Sequence, residues 1–381
     1  MKILLAPDSF KGSLSAPNAV IALEEGLRRV WQDSEIVRLP VADGGEGVLD
    51  VLLAATSGEA FATIVTDAMG SPISARWGTL PDRETAVIEL AQAAGLTQIP
   101  AERRNPAIAS TYGIGELILE ATRYPGVRRL IIGLGGSATN DGGAGILTAL
   151  GVRLLDEQGD DLPPGGIALS RLHRVDRSGL KIDPSAFEIH IACDVDNTLI
   201  GDRGASVIFG PQKGATGKET LLLDAALTQY AHILSSVTSA PGDGAAGGTT
   251  FGLRYLFPHA ILKPGIDIVL DTISFDAHLA NADLVITGEG RLDAQTLGGK
   301  AIAGVARRAK AAGVQVCAIV GSITPDLRAT LLAEQIGVAA VLSLPPGPCS
   351  LDDALANASD WLADAAERAA RCIEIGRKFS S

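Results

Sequence analysis

The chain has 381 residues, of which 46% are hydrophobic and 20% charged, and a formal net charge of −12. This excludes a disordered chain and leaves room for two domains with substantial cores. The negative charge excludes broad attraction to nucleic acid or an anionic membrane, although a local cluster of donors still suits a small anion.

Short apolar runs alternate with helical patterns at both ends of the chain. Ile3–Ala6 reads as a buried strand, followed by a polar loop and a helix from about Pro17 to Val30. Glu35–Leu39 is a second strand, leading through VADGGEG to a helix near Glu46. The rhythm returns late in the chain. Leu284–Ile286 leads into TGEGRLD and a helix from about Lys300, and Val314–Val320 leads into Gly321-Ser322 and another helix. Val338–Leu342 precedes a loop and an Ala-rich terminal helix. The βαβ rhythm predicts a parallel sheet covered by helices on both faces. The middle differs in texture, with strands at Thr85–Leu90, Arg129–Gly133 and Phe187–Ala192 among Gly-rich, Pro-containing loops. The expected fold class is α/β, with a second α/β domain over 61–262 inserted into a first domain made of 1–60 and 263–381.

The four cysteines, Cys193, Cys317, Cys349 and Cys372, form no CxxC pair, and scattered thiols fit a reducing compartment. The apolar run at the N-terminus is too short for a signal peptide, and no stretch reaches the length of a membrane span. A cytoplasmic protein, monomeric or homodimeric, is expected. The five histidines lack metal-ligand spacing, and no G-x-S-x-G elbow appears.

Five glycine-rich polar loops carry the chemistry, and four directly follow a predicted strand, where α/β sheets bind ligands. The first, Asp8-Ser9-Phe10-Lys11-Gly12-Ser13, offers a carboxylate, hydroxyls and a cation ahead of a helix N-terminus. Its structural alternative is a turn with Ser15 as cap. In the second, Asp43 and Glu46 flank paired glycines and suit Mg²⁺ or a plain N-cap. The third, Gly133 to Gly143, combines bare backbone with donors at Ser137, Thr139 and Asn140, which suits a phosphate. Its Gly133-x-Gly135-x-x-Ala138 spacing, with Asp156 downstream, is also a weak dinucleotide-type match. The residues Thr139-Asn140-Asp141-Gly142-Gly143 make a poor first helical turn and weigh against NAD.

The fourth loop, Asp194-Val195-Asp196-Asn197, places acids just past a strand, where a general base, a metal ligand or an Asx turn belongs. It runs on to Gly210-Pro211-Gln212-Lys213-Gly214, which is no Walker loop, because Gly217-Lys218 is followed by Glu219. The fifth, Thr287 to Asp293 with Gln295, Thr296 and Lys300, gathers acids for a metal and cations for a phosphate. Together these are the parts of phosphoryl transfer, which depends on positioning and charge neutralisation. The residues alone name no substrate.

The loops APDSFKGSLSA, PVADGGEG, GLGGSATNDGG, CDVDN, GPQKGA, GAAGG and TGEGRLDAQTLGGK, in this order, resemble the type I glycerate kinase family over about Ile3–Ser343. The resemblance implies a flavodoxin-like domain built from both chain ends plus an inserted domain. It also implies ATP- and Mg²⁺-dependent conversion of D-glycerate to phosphoglycerate, generally the 2-phospho product (glycerate 2-kinase). Two positions depart from the family pattern: Thr198 and Ala301 stand where proline is usual, and neither removes a charged or hydroxyl group.

On this reading D-glycerate and Mg-ATP meet in a cleft between the domains, and Asp194 accepts the hydroxyl proton. Lys11, Arg291 and Lys300 bind carboxylate or phosphates, assisted by Asp8, Ser9, Asn197, Lys213 and Gln295. The loop of Gly135, Gly136, Ser137, Thr139, Asn140 and Asp141 cradles phosphate. Glu289 and Asp293 hold Mg²⁺, with Asp43 in reserve. The rivals are a kinase giving 3-phosphoglycerate, an NAD-dependent hydroxy-acid oxidoreductase, and a non-catalytic phosphate or glycerate sensor.

Overall fold

The computed structural model describes residues 1–45, 47–234, 240–293, 301–324 and 335–380, with side chains described as far as 378. The chain divides into two units. One comprises Met1–Asp43, Asp50–Thr56 and Ile266–Ser381, and the other Gly44–Leu49 and Ser57–Gly265. The expected limits of 1–60, 61–262 and 263–381 differ from this grouping. Gly44–Leu49 goes with the second unit, where the amide of Leu49 donates to Glu89 Oε1 at 2.6 Å. No described helix is long and apolar enough to cross a membrane.

Strands are numbered along the whole chain. The first unit holds β1 (Lys2–Pro7), β2 (Glu35–Arg38), β11 (Leu284–Leu292), β12 (Gln315–Ile323) and β13 (Ala340–Ser343). They form one parallel sheet in the order β13-β12-β11-β1-β2. Counted within the unit this is 2-1-3-4-5, the flavodoxin order. Ile3 to Ala6 are wholly buried, as a strand covered on both faces requires. The helices Ala16–Arg28 and Ala358–Ser380 supply Leu23, Leu27, Leu362 and Ala366 to one core with Ile3 and Leu5. Ser15 caps the first of these helices by accepting from the Asn18 amide at 3.4 Å.

One expectation is corrected. The segment Thr287–Leu292, read as a loop, continues β11 and pairs with β12 as far as Leu292–Ile323. The glycines responsible for the loop reading serve close packing instead. A Cβ on Gly321 would lie 2.4 Å from the Gly290 carbonyl oxygen. The two strands thus run on as a paired ribbon and carry Glu289 and Arg291 on regular backbone.

The second unit contains β3 (Glu59–Thr66), β4 (Pro72–Thr79), β5 (Thr85–Glu89), β6 (Arg129–Gly133), β9 (Glu188–Ala192) and β10 (Ile261–Lys263) in one sheet. β3, β4 and β5 form an antiparallel meander, and β5, β6, β9 and β10 are parallel. A two-stranded ribbon pairs β7 (Arg153–Leu155) with β8 (Arg174–Asp176). The core joins Trp77, Ile88, Leu117 and Ile132 to Leu227, Tyr230 and Phe251. The parallel strands end where Gly133 to Gly143 and Cys193 to Asn197 begin.

Candidate active site

Each unit has a cavity at the carboxyl ends of its parallel strands. In the first unit the cavity is about 460 Å³ and brings together Asp8, Ser9, Lys11, Asp43, Glu289, Arg291 and Asp293. It opens beside β1 and β11, the point where the strand order reverses and α/β sheets bind ligands. Lys11 sits at the tip of a tight turn closed by Phe10 and Leu14, whose amides and carbonyls bond reciprocally at 2.9 and 3.0 Å.

Carboxylates crowd this cavity. Burial, then the charge of Asp43, drives the Asp8 carboxyl up to about 7; Glu289 adds to the rise, while the Ser9 amide and Lys11 oppose it. Arg291 is 68% exposed and stands 3.9 Å from Asp293. Such acids suit a hard cation. Among the described residues, however, no three His, Cys, Asp or Glu side chains form a cage for a metal ion. Glu289, Asp293 and Asp43 line one cavity without completing such a cage. The donor set still fits Mg²⁺, which takes one or two carboxylates and fills its octahedron with water and phosphate oxygens.

In the second unit the cavity is about 370 Å³, and Gly44, Gly135, Gly136, Ser137, Asp194 and Lys213 line it. Asp194 Oδ1 accepts from the Gly265 amide at 2.9 Å. The amides of Gly135, Gly136 and Ser137 donate to no acceptor among the described residues, so three adjacent N–H groups remain for a ligand. Lys213 is 2% exposed, and its Nζ donates to Ser137 Oγ and to the Thr139 carbonyl, both at 2.7 Å.

Three residues of the predicted phosphate loop lie elsewhere. Thr139, Asn140 and Asp141 are wholly buried beneath it. Asp141 accepts from the Thr111 amide and hydroxyl at 2.8 and 2.9 Å, and from the amides of Gly143 and Gly145 at 3.2 and 3.1 Å. Burial pushes its carboxyl above the usual range, and these donors pull it back. Asn140 Nδ2 donates to Ser206 Oγ at 2.8 Å. Asn197 is half-buried and bonds locally, its Nδ2 donating to the Arg203 carbonyl at 3.0 Å. Thr139, Asn140 and Asp141 support the loop from beneath. Gln295 and Lys300 lie outside the described residues.

The dinucleotide geometry is absent. The helix after Gly133-x-Gly135-x-x-Ala138 begins only at Ala144, after left-handed Gly142 and Gly143, so its N-terminus does not follow the fingerprint directly. Sequence reasoning missed Phe209, Gln212, Cys193 and Ala246, which line the second cavity. Only Gln212 carried a signal, as the polar neighbour of Lys213. The backbone under Ala246 is left-handed through Gly248, which lets the chain fold tightly there. A Cβ on Gly247 would lie 2.0 Å from the Thr139 carbonyl oxygen.

Fold and cavities define a two-unit α/β protein with a polar cavity at the strand ends of each unit. The chain belongs to the glycerate kinase family, whose profile matches residues 3–374, and it is a kinase. It is 47% identical to the glycerate kinase of Bacillus subtilis over 386 residues, covering 100% of this chain and 98% of that one. It is 43% identical to the glycerate 2-kinase of Escherichia coli, covering 99% of each chain. It also superposes with a TM-score of 0.89 on a crystal structure presented as a candidate glycerate kinase 2 from Salmonella typhimurium LT2, at 45% identity and 99% coverage of both chains.

Proposed function

We propose that the protein transfers the terminal phosphoryl group of ATP to D-glycerate and releases 2-phosphoglycerate. The observation that carries this reading is full-length similarity, at 43% identity, to a glycerate 2-kinase. Two cavities furnished for phosphoryl transfer support it: carboxylates and cations in one, free glycine amides with a buried lysine in the other.

Asp194 accepts the substrate hydroxyl proton, held in place by the Gly265 amide. Lys11 and Arg291 neutralise oxyanions in the first unit, while Gly135, Gly136 and Ser137 donate backbone hydrogen bonds in the second. Asp43, Glu289 and Asp293 would hold Mg²⁺, one or two at a time. When bound, the metal would neutralise charge developing on the phosphate oxygens.

The test is a coupled assay of purified protein, D-glycerate and Mg-ATP with enolase and no phosphoglycerate mutase. Phosphoenolpyruvate in step with ADP is the expected result. Glycerate-dependent ADP without phosphoenolpyruvate would assign the 3-phospho product instead, and no ADP would reject the reading.

A further inference from the structure

Lys213 is a cation with unusual surroundings. Its ammonium has three N–H groups. Two have fixed acceptors, Ser137 Oγ and the Thr139 carbonyl, and the third has none among the described residues. The side chain lines the cavity beside the three free amides of Gly135 to Ser137. A buried donor left unsatisfied is costly, and an oxyanion on the amides would satisfy it.

We propose that Lys213 is the internal cation of this oxyanion site, and that a carboxylate or phosphate group seated on Gly135–Ser137 binds together with one proton, taken from solvent by the Lys213 amine. This inference rests on the kinase reading above. The balance is simple: R–NH₂ plus H⁺ gives R–NH₃⁺, with no other bond made or broken. The supporting electrostatics agree. Burial pulls Lys213 down to about 7, and Asp141 opposes the fall. Among the described residues, Asp194 and Cys193 share the cavity wall with it, and buried Tyr230 lies near Asp141. Burial pushes both the thiol and the phenol up, so neither ionises near neutral pH. Without an anion the lysine shares one proton with solvent; a ligand charge holds it there.

The experiment is titration calorimetry at pH 8 in buffers of different ionisation enthalpy, with D-glycerate and a non-hydrolysable ATP analogue titrated separately. One of the two should bind with uptake of about 0.9 proton, because a lysine near 7 is mostly neutral at pH 8. The Kd for that ligand should rise about 50-fold between pH 7 and 9. Lys213→Met should abolish the uptake, flatten the pH dependence and weaken binding about 10- to 100-fold. Ser137→Ala keeps the cation and should keep the uptake, which covers the case of a poorly folded methionine variant. Binding without uptake by the wild-type protein would overturn the proposal. So would uptake surviving in Lys213→Met, and Asp194→Asn then tests whether that carboxylate takes the proton. If neither ligand binds, the kinase reading itself has failed, a distinct outcome.

Discussion

The two cavities prepare for charge in opposite ways. In the first unit, the carboxylates of Asp8, Asp43, Glu289 and Asp293 outnumber the cations Lys11 and Arg291. In the second, the backbone supplies three N–H groups, and one lysine is buried to complete them. Burial raises proton affinity at Asp8, with the charges of Asp43 and Glu289 adding to it, whereas burial lowers it at Lys213, and both converge on about 7.

The comparison breaks most severely at Asp194. Asp194→Asn should lower turnover by ~10²–10⁴-fold with the thermal midpoint little changed. Near-normal turnover in a folded variant would move the proton acceptor out of the second cavity. Gly247→Ala comes next. The added methyl group meets the Thr139 carbonyl on a left-handed backbone and should cost about 2–4 kcal/mol in denaturant unfolding. A neutral effect would mean that the loop above it is softer than its packing implies.

Asp8→Asn sharpens the first half. Asp8 binds its proton more tightly folded, near 7, than unfolded, near 3.8, so its contribution to stability is full below about 4 and lost as pH rises through 7. The amide variant should therefore melt several degrees higher than wild type at pH 8, and the gain should shrink towards pH 4. A gain independent of pH would deny the crowding. For Lys213 the sign reverses. Unfolded lysine holds the extra proton between about 7 and 10.5, so stability rises with pH across that window, and Lys213→Met should lose this slope. The smallest structural effect belongs to Arg291→Ala. Its exposed pairing with Asp293 is worth at most ~0.5 kcal/mol, so stability should hold while KM for one substrate rises about tenfold.

Much of this was legible in the sequence. The runs Ile3–Ala6, Leu284–Ile286 and Val314–Val320 are apolar stretches (Gln315 excepted) and read as strands of a covered parallel sheet. Loops placed after them line the first cavity, and those after Arg129–Gly133 and Phe187–Ala192 line the second. The misreadings share one cause, which is that polarity does not reveal a partner. Asp141 looked like a ligand because its main acceptor role depends on Thr111, 30 residues away in sequence. Lys213 owes its burial to partners 74 and 76 residues away. Glycines mark crowding as readily as turning, and Gly288, Gly290 and Gly321 therefore imitated a loop. Apolar lining residues such as Phe209 carry no chemical signature at all.

The pairing of Ile3 with Leu284 has a consequence for how the molecule is made. At ~5–20 residues per second of synthesis, β1 waits on the order of 15–60 s for the strand that completes its sheet. During that interval β1 is an apolar strand with an open edge, exposed to chaperones and to neighbouring nascent chains. The second unit, most of it continuous from Ser57 to Gly265, leaves the ribosome entire before that edge is filled. Cells making this protein quickly should lose it to aggregation through its beginning, and slower translation or lower temperature should recover more of it.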